Sequence, residues 1–84
     1  MKEPLSSGFR IPVQSPEDLG RHIRRVRTLR RMTQHDLAMM TGTSEKFISN
    51  VENGKENAQL GKVLLLIRVL DAELCLCDLD GAGL

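Results

Sequence analysis

The chain has 84 residues, a formal net charge of +1 and two aromatic residues, Phe9 and Phe47. That length permits one small domain with an aliphatic, methionine-containing core, and so small a core favours oligomerisation as a further source of stability. There is no run of about eighteen apolar residues and no basic-then-apolar leader pattern, which excludes a membrane-spanning helix and leads to the expectation of a cytoplasmic protein.

The near-neutral total conceals an uneven distribution. Residues 1–55 hold ten Lys and Arg against six Asp and Glu, whereas residues 56–84 hold two against five. The basic end suits phosphates, and the acidic end suits a different, protein-facing role.

Residues 1–14 contain Pro4, Ser6, Ser7, Gly8 and Pro12 without helical period and read as a flexible arm. A first helix starts at Ser15, with Pro16 at its first position and Glu17 and Asp18 in the first turn, where acids offset the helix dipole. Leu19, Ile23, Val26 and Leu29 or Arg30 form its apolar stripe, and six arginines, Arg27 among them, occupy the other faces.

Two short helices follow within Met32–Lys55. Thr33 caps the first, which places Leu37, Ala38 and Thr41 on one face and ends at Gly42. Ser44 caps the second, in which Phe47, Ile48 and Val51 recur at helical spacing until Asn53-Gly54. Helices this short, separated by so few residues, cannot lie antiparallel and must cross steeply, which is the geometry of a helix-turn-helix.

A fourth helix is predicted over 58–70. Leu60, Val63, Leu64, Ile67 and Leu70 share one stripe, and Leu65, Leu66 and Val69 lie outside it. A helix apolar nearly all round needs more cover than one small domain supplies, so the second face is expected against another copy of the chain. Residues 73–79, ELCLCDL, read as a strand that needs a ladder partner, and the same strand of a second subunit is the nearest candidate. Leu65, Leu66, Val69, Leu74, Cys75, Leu76 and Cys77 are therefore the expected dimer interface. Cys75 and Cys77 are too close for an unstrained mutual disulfide and lack further ligands for zinc, so they are expected as small buried hydrophobes, with no metal and no cofactor. His22 and His35 are expected at helix surfaces. No phosphate loop or catalytic carboxylate pair occurs, and no enzymatic activity is expected. The expected organisation is an arm (1–14), a helix-turn-helix domain (15–72), a dimerisation strand (73–80) and a tail (81–84).

The pattern TQxxLAxxxGTSxxxISxxENGK at Thr33–Lys55 resembles the helix-turn-helix of the phage-repressor (Cro/C1) family, and FISNVENGKENAQLGKVLLLIRVLDAELCL is similar to antitoxins of the HipB type. The resemblance spans roughly residues 16–79 and implies an all-α, lambda-repressor-like domain of four to five helices with a short C-terminal β-strand pairing across a homodimer. It implies that the second helix of the motif enters the major groove, presenting Ser44, Glu45, Lys46, Ser49 and Asn50 to base edges. Arg27, Thr33, Gln34, Thr43 and Lys55 are the expected phosphate ligands, and Arg27 is also expected to pair with Glu52. The implied function is a sequence-specific repressor of an inverted-repeat operator, acting as the antitoxin to a HipA-like serine/threonine kinase toxin, with a third small subunit where the toxin is split. The alternatives are a stand-alone phage-type repressor and an interaction module that has lost DNA binding.

Overall fold

Most of the helices begin where a side chain replaces a missing backbone acceptor. In the computed structural model, which describes residues 10–80, the elements are α1 (Pro16–Leu29), α2 (Gln34–Thr41), α3 (Glu45–Glu52) and α4 (Leu60–Val69). The Ser15 hydroxyl accepts from the Asp18 N–H at 3.0 Å, and the Ser44 hydroxyl accepts from the Phe47 N–H at 3.0 Å. At α2 the Thr33 hydroxyl accepts from the Asp36 N–H while the Asp36 carboxylate accepts from the Thr33 N–H, each at 2.9 Å. The Thr33 N–H, and after it the Thr33 hydroxyl, favour the charged carboxylate and lower the pKa of Asp36. Helix α4 starts at Gln59 without a side-chain cap.

All four helices stop in the same way. Arg31, Gly42, Gly54 and Asp71 take φ of 59°, 66°, 84° and 59°. The following N–H then turns back to a carbonyl of the last turn, Met32 to Arg27, Thr43 to Ala38, Lys55 to Asn50 and Ala72 to Ile67. Gly42 and Asn53-Gly54 announce two of these stops, whereas Arg31 and Asp71 carry a Cβ into the left-handed region at a cost of about 1 kcal/mol each.

All four helices contribute to one core of Ile23, Leu37, Ala38, Ile48, Val51, Val63, Leu66, Ile67 and Leu70. Helix α3 packs on α1 and α2, and α4 packs on α2. Helices α1 and α3 approach each other closely. A Cβ built on the buried Gly20 would lie 2.3 Å from the Val51 carbonyl oxygen and 2.6 Å from that of Glu52, so the helices meet backbone to backbone.

Across the same crossing, Arg27 Nε and Nη2 donate to the two Glu52 carboxylate oxygens at 2.6 and 3.0 Å, and Nη1 donates to the Met32 carbonyl at 2.8 Å. Gln34 Nε2 donates to Glu52 Oε1 at 3.0 Å. One carboxylate thus joins α1, the start of α2 and the end of α3. The ion-paired side chains are 9% and 2% exposed, so removing either charge strands the other away from water.

The structure corrects several expectations. Leu29 is exposed, because α1 turns Gly20, Ile23 and Arg27 inward. Helix α4 begins two residues later than expected and is rotated: Leu66, assigned to the dimer interface, is 0% exposed within the core, while Leu60 is 65% exposed. Val69 is half-buried against the same core. Among the described residues there is no strand; residues 72–78 form neither helix nor sheet, and Leu76 is 97% exposed. Cys75 and Cys77 are free and exposed, since nothing in the single chain covers them. Phe47 is half-buried, with Lys62 Nζ 5.8 Å from its ring centroid. Residues 1–9 of the expected arm and 81–84 of the tail lie outside the described residues.

Gly20→Ala has no flexible neighbour to displace and is expected to cost about 3 kcal/mol, read as a lower urea midpoint at unchanged m-value. Arg27→Met is expected to cost about 3–5 kcal/mol, while Arg27→Met with Glu52→Leu recovers most of that loss; a double-mutant cycle by urea unfolding measures the coupling.

Candidate nucleic-acid interface

The α2–turn–α3 unit is held by short-range bonds that leave one surface free. Gly42 takes φ of 66° and ends α2. The Thr41 hydroxyl donates to the Leu37 carbonyl at 2.8 Å, so the 2.9 Å contact between the Thr41 and Thr43 hydroxyls has Thr43 as donor. Helix α3 then turns Ile48 and Val51 into the core and leaves Ser44, Glu45 and Lys46 exposed, with Ser49 and Asn50 half-buried beside them. The five residues expected at base edges therefore share the outward side of one short helix. Lys46 has no hydrogen-bond or ion-pair partner among the described residues.

The expected phosphate ligands divide. Thr33 is exposed at the start of α2, where its hydroxyl accepts from the Asp36 N–H. The first N–H groups of α2 point along the positive end of its dipole. Lys55 is exposed just past α3. Thr43 has committed its proton to Thr41, which leaves lone pairs rather than a donor facing out. Gln34 is half-buried and shares its amide with Glu52, so its role is partly internal. Arg27 is the clear correction: buried, with Nε, Nη1 and Nη2 all bonded inside the protein, it supports the surface from behind instead of reaching out from it.

Two features were missed in the sequence. His35 Nδ1 lies 2.9 Å from Glu45 Oε2, an exposed pair that links the start of α2 to the start of α3; residues ten apart on separate helices give no sequence signal for such a contact. His22, expected at the surface, is half-buried, and its Nδ1 is buried without a hydrogen-bond partner. Arg30, one of the cations near the motif, instead donates from Nε to the Leu70 carbonyl at 2.5 Å and caps the end of α4.

No helix among the described residues is long and apolar enough to cross a membrane. Residues 23–76 match the family described as Helix-turn-helix. The chain is 36% identical over 62 residues to an uncharacterised HTH-type transcriptional regulator, y4mF, of Sinorhizobium fredii, covering 74% of this chain and 82% of that protein. It is 31% identical over 71 residues to the antitoxin HipB of Escherichia coli, covering 84% of this chain and 81% of that protein. Among solved structures, a HipB chain in a complex of HipA, HipB and the O2 and O3 sites superposes with a TM-score of 0.76 at 30% identity, over 83% of this chain and 99% of that one. A HipB complex with an O4 20mer gives the same TM-score, identity and coverage. With most of its length matched in sequence and in fold, the chain belongs to the Cro/C1-type helix-turn-helix family and is a HipB-like, DNA-binding transcriptional regulator.

Proposed function

We propose that this protein is the antitoxin of a HipBA-like module: a homodimer that represses its own operon by reading an inverted repeat and that binds a HipA-like serine/threonine kinase. The observation that carries the DNA-binding half is the division of α3, with Ile48 and Val51 sealed in the core and Ser44, Glu45 and Lys46 left outside. Thr33, Lys55 and the first N–H groups of α2 supply phosphate contacts that set register, and the α3 side chains read base edges.

Dimerisation is supported by apolar surface that the single chain leaves open. Leu64, Leu65, Leu74, Leu76 and Leu79 are exposed along α4 and the segment after it. Pairing residues 73–79 with a second copy satisfies their backbone groups and covers Cys75 and Cys77. A two-fold axis there sets the two α3 helices about one helical turn, roughly 34 Å, apart on the duplex. The kinase partner is supported by the HipB relative, whose solved complex contains HipA, and by the acidic character of residues 56–84. In a split system a third small subunit joins the complex. A stand-alone repressor is the second reading, favoured by the regulator of Sinorhizobium fredii, which is described only as a transcriptional regulator.

Binding to the DNA upstream of its own gene is read by fluorescence anisotropy across a salt series. Lys46→Ala is expected to cost about 1–3 kcal/mol per half-site and relax the base preference there, whereas Lys55→Ala weakens all sequences alike and lowers the salt slope by about one for each phosphate no longer neutralised. Equal, small effects of both would refute the assignment of α3 as the reader. Co-expression with the adjacent gene, followed by size-exclusion chromatography with light scattering, is expected to give a dimer bound to a kinase-sized subunit. A monomer would remove the two-fold operator, and a dimer without kinase would leave the stand-alone repressor.

A further inference from the structure

The His35–Glu45 pair is the one polar link, among the described residues, between the two helix starts that face the proposed duplex. Both side chains are well exposed, 63% and 60%, and an exposed pair of this kind adds little to folding stability. Its position is informative. Glu45 is the first residue of α3, and His35 is the second residue of α2. With Nδ1 on the carboxylate, the imidazole has Nε2 left without a partner among the described residues.

An unpaired carboxylate at the front of a reading helix opposes docking, because it meets the negative field of the DNA backbone. An imidazolium beside it cancels that charge, holds the carboxylate in one orientation and offers Nε2–H to a phosphate oxygen. The neutral ring does less: with its proton on Nδ1 toward Glu45, Nε2 is a lone pair facing phosphate. The charged neighbours of the ring are Glu45 on α3 and Asp36 on its own helix, the latter ionised and engaged with Thr33. Lys46, next to Glu45, is the nearest cation in sequence on α3. From the other helices, Lys62 of α4 lies over Phe47, and His22 of α1 acts on Asp18 instead.

We propose that His35 and Glu45 form one proton-linked reading unit, in which His35 positions the Glu45 carboxylate for an exocyclic amine such as cytosine N4 and takes up a proton from solvent when DNA docks. The inference rests on α3 being the DNA reader. Its sign is fixed by linkage: the complex binds more protons than the free protein, so affinity rises as pH falls through the range in which histidine ordinarily titrates. His35 is a positioning residue that also contacts phosphate, and Glu45 determines specificity.

The test uses the full-length protein and a duplex that it selects from a random-sequence pool at about pH 6, with binding measured up to about pH 8. Wild-type affinity is expected to fall at least about fivefold over that interval. His35→Asn keeps an amide donor near the place of Nδ1 but cannot titrate; it is expected to retain the base preference and lose most of the pH dependence. Glu45→Gln is expected to lose both the preference at its contacted base pair and most of the pH dependence. All three proteins are expected to unfold at similar temperatures, which separates reading from folding. Binding that is flat with pH in the wild type, or a slope unchanged in His35→Asn or Glu45→Gln, would overturn the inference and leave DNA binding intact. No binding to any duplex at any pH would overturn the DNA-binding reading, and this inference with it.

Discussion

The carboxylate of Glu52 is the constraint around which the rest is arranged. It sits at the C-terminal end of α3, where the helix dipole disfavours an anion, and it is almost fully removed from water. It is tolerable there because Arg27 supplies two aligned donors and Gln34 a third. Those donors come from α1 and from the first turn of α2, so satisfying one buried charge fixes the relative placement of three helices. The third Arg27 nitrogen holds the Met32 carbonyl just before α2 begins. A hydrophobic core alone tolerates sliding of one helix on another, whereas a buried bidentate ion pair does not.

That fixed frame is what allows α3 to be so short. A helix of eight residues is unstable by itself, and here it is held at its start by Ser44, in its middle by Ile48 and Val51, and at its end by Glu52. The contact of Gly20 with the Val51 and Glu52 carbonyls brings α1 close enough for Arg27 to reach. Rigidity is useful at a surface proposed to read bases, since an ordered contact side chain has less entropy to lose on docking. Gln34 connects the two levels directly, because a residue at the end of α2 proposed to face phosphate also touches the buried hub.

The far side of the molecule has the opposite character. Helix α4 gives Val63, Leu66, Ile67 and Leu70 to the core and leaves Leu60, Leu64 and Leu65 outside, and the segment after it exposes Leu74, Leu76 and Leu79. This run of solvent-facing leucines fits assembly with another chain. The proposed division of labour follows the charge: the basic front end carries the proposed reader, and the acidic back end carries the proposed protein-facing surface.

Much of this was legible in the residues themselves because it is local. Ser15, Thr33 and Ser44 mark helix starts, Gly42 and Asn53-Gly54 mark stops, and the spacing of Leu37, Ala38, Ile48 and Val51 gives the inward faces of α2 and α3. The resemblance at Thr33–Lys55 added the pairing of Arg27 with Glu52, which the structure bears out. What only the tertiary structure decided depends on residues far apart in the chain. The rotation of α4, which hides Leu66 and exposes Leu60, follows from how α2 receives it, and a helix apolar on nearly every side carries no preferred direction of its own. The burial that commits Arg27 internally, the backbone contact at Gly20 and the meeting of His35 with Glu45 arise where separate helices cross, and no periodicity within a single helix encodes the distance to its neighbour.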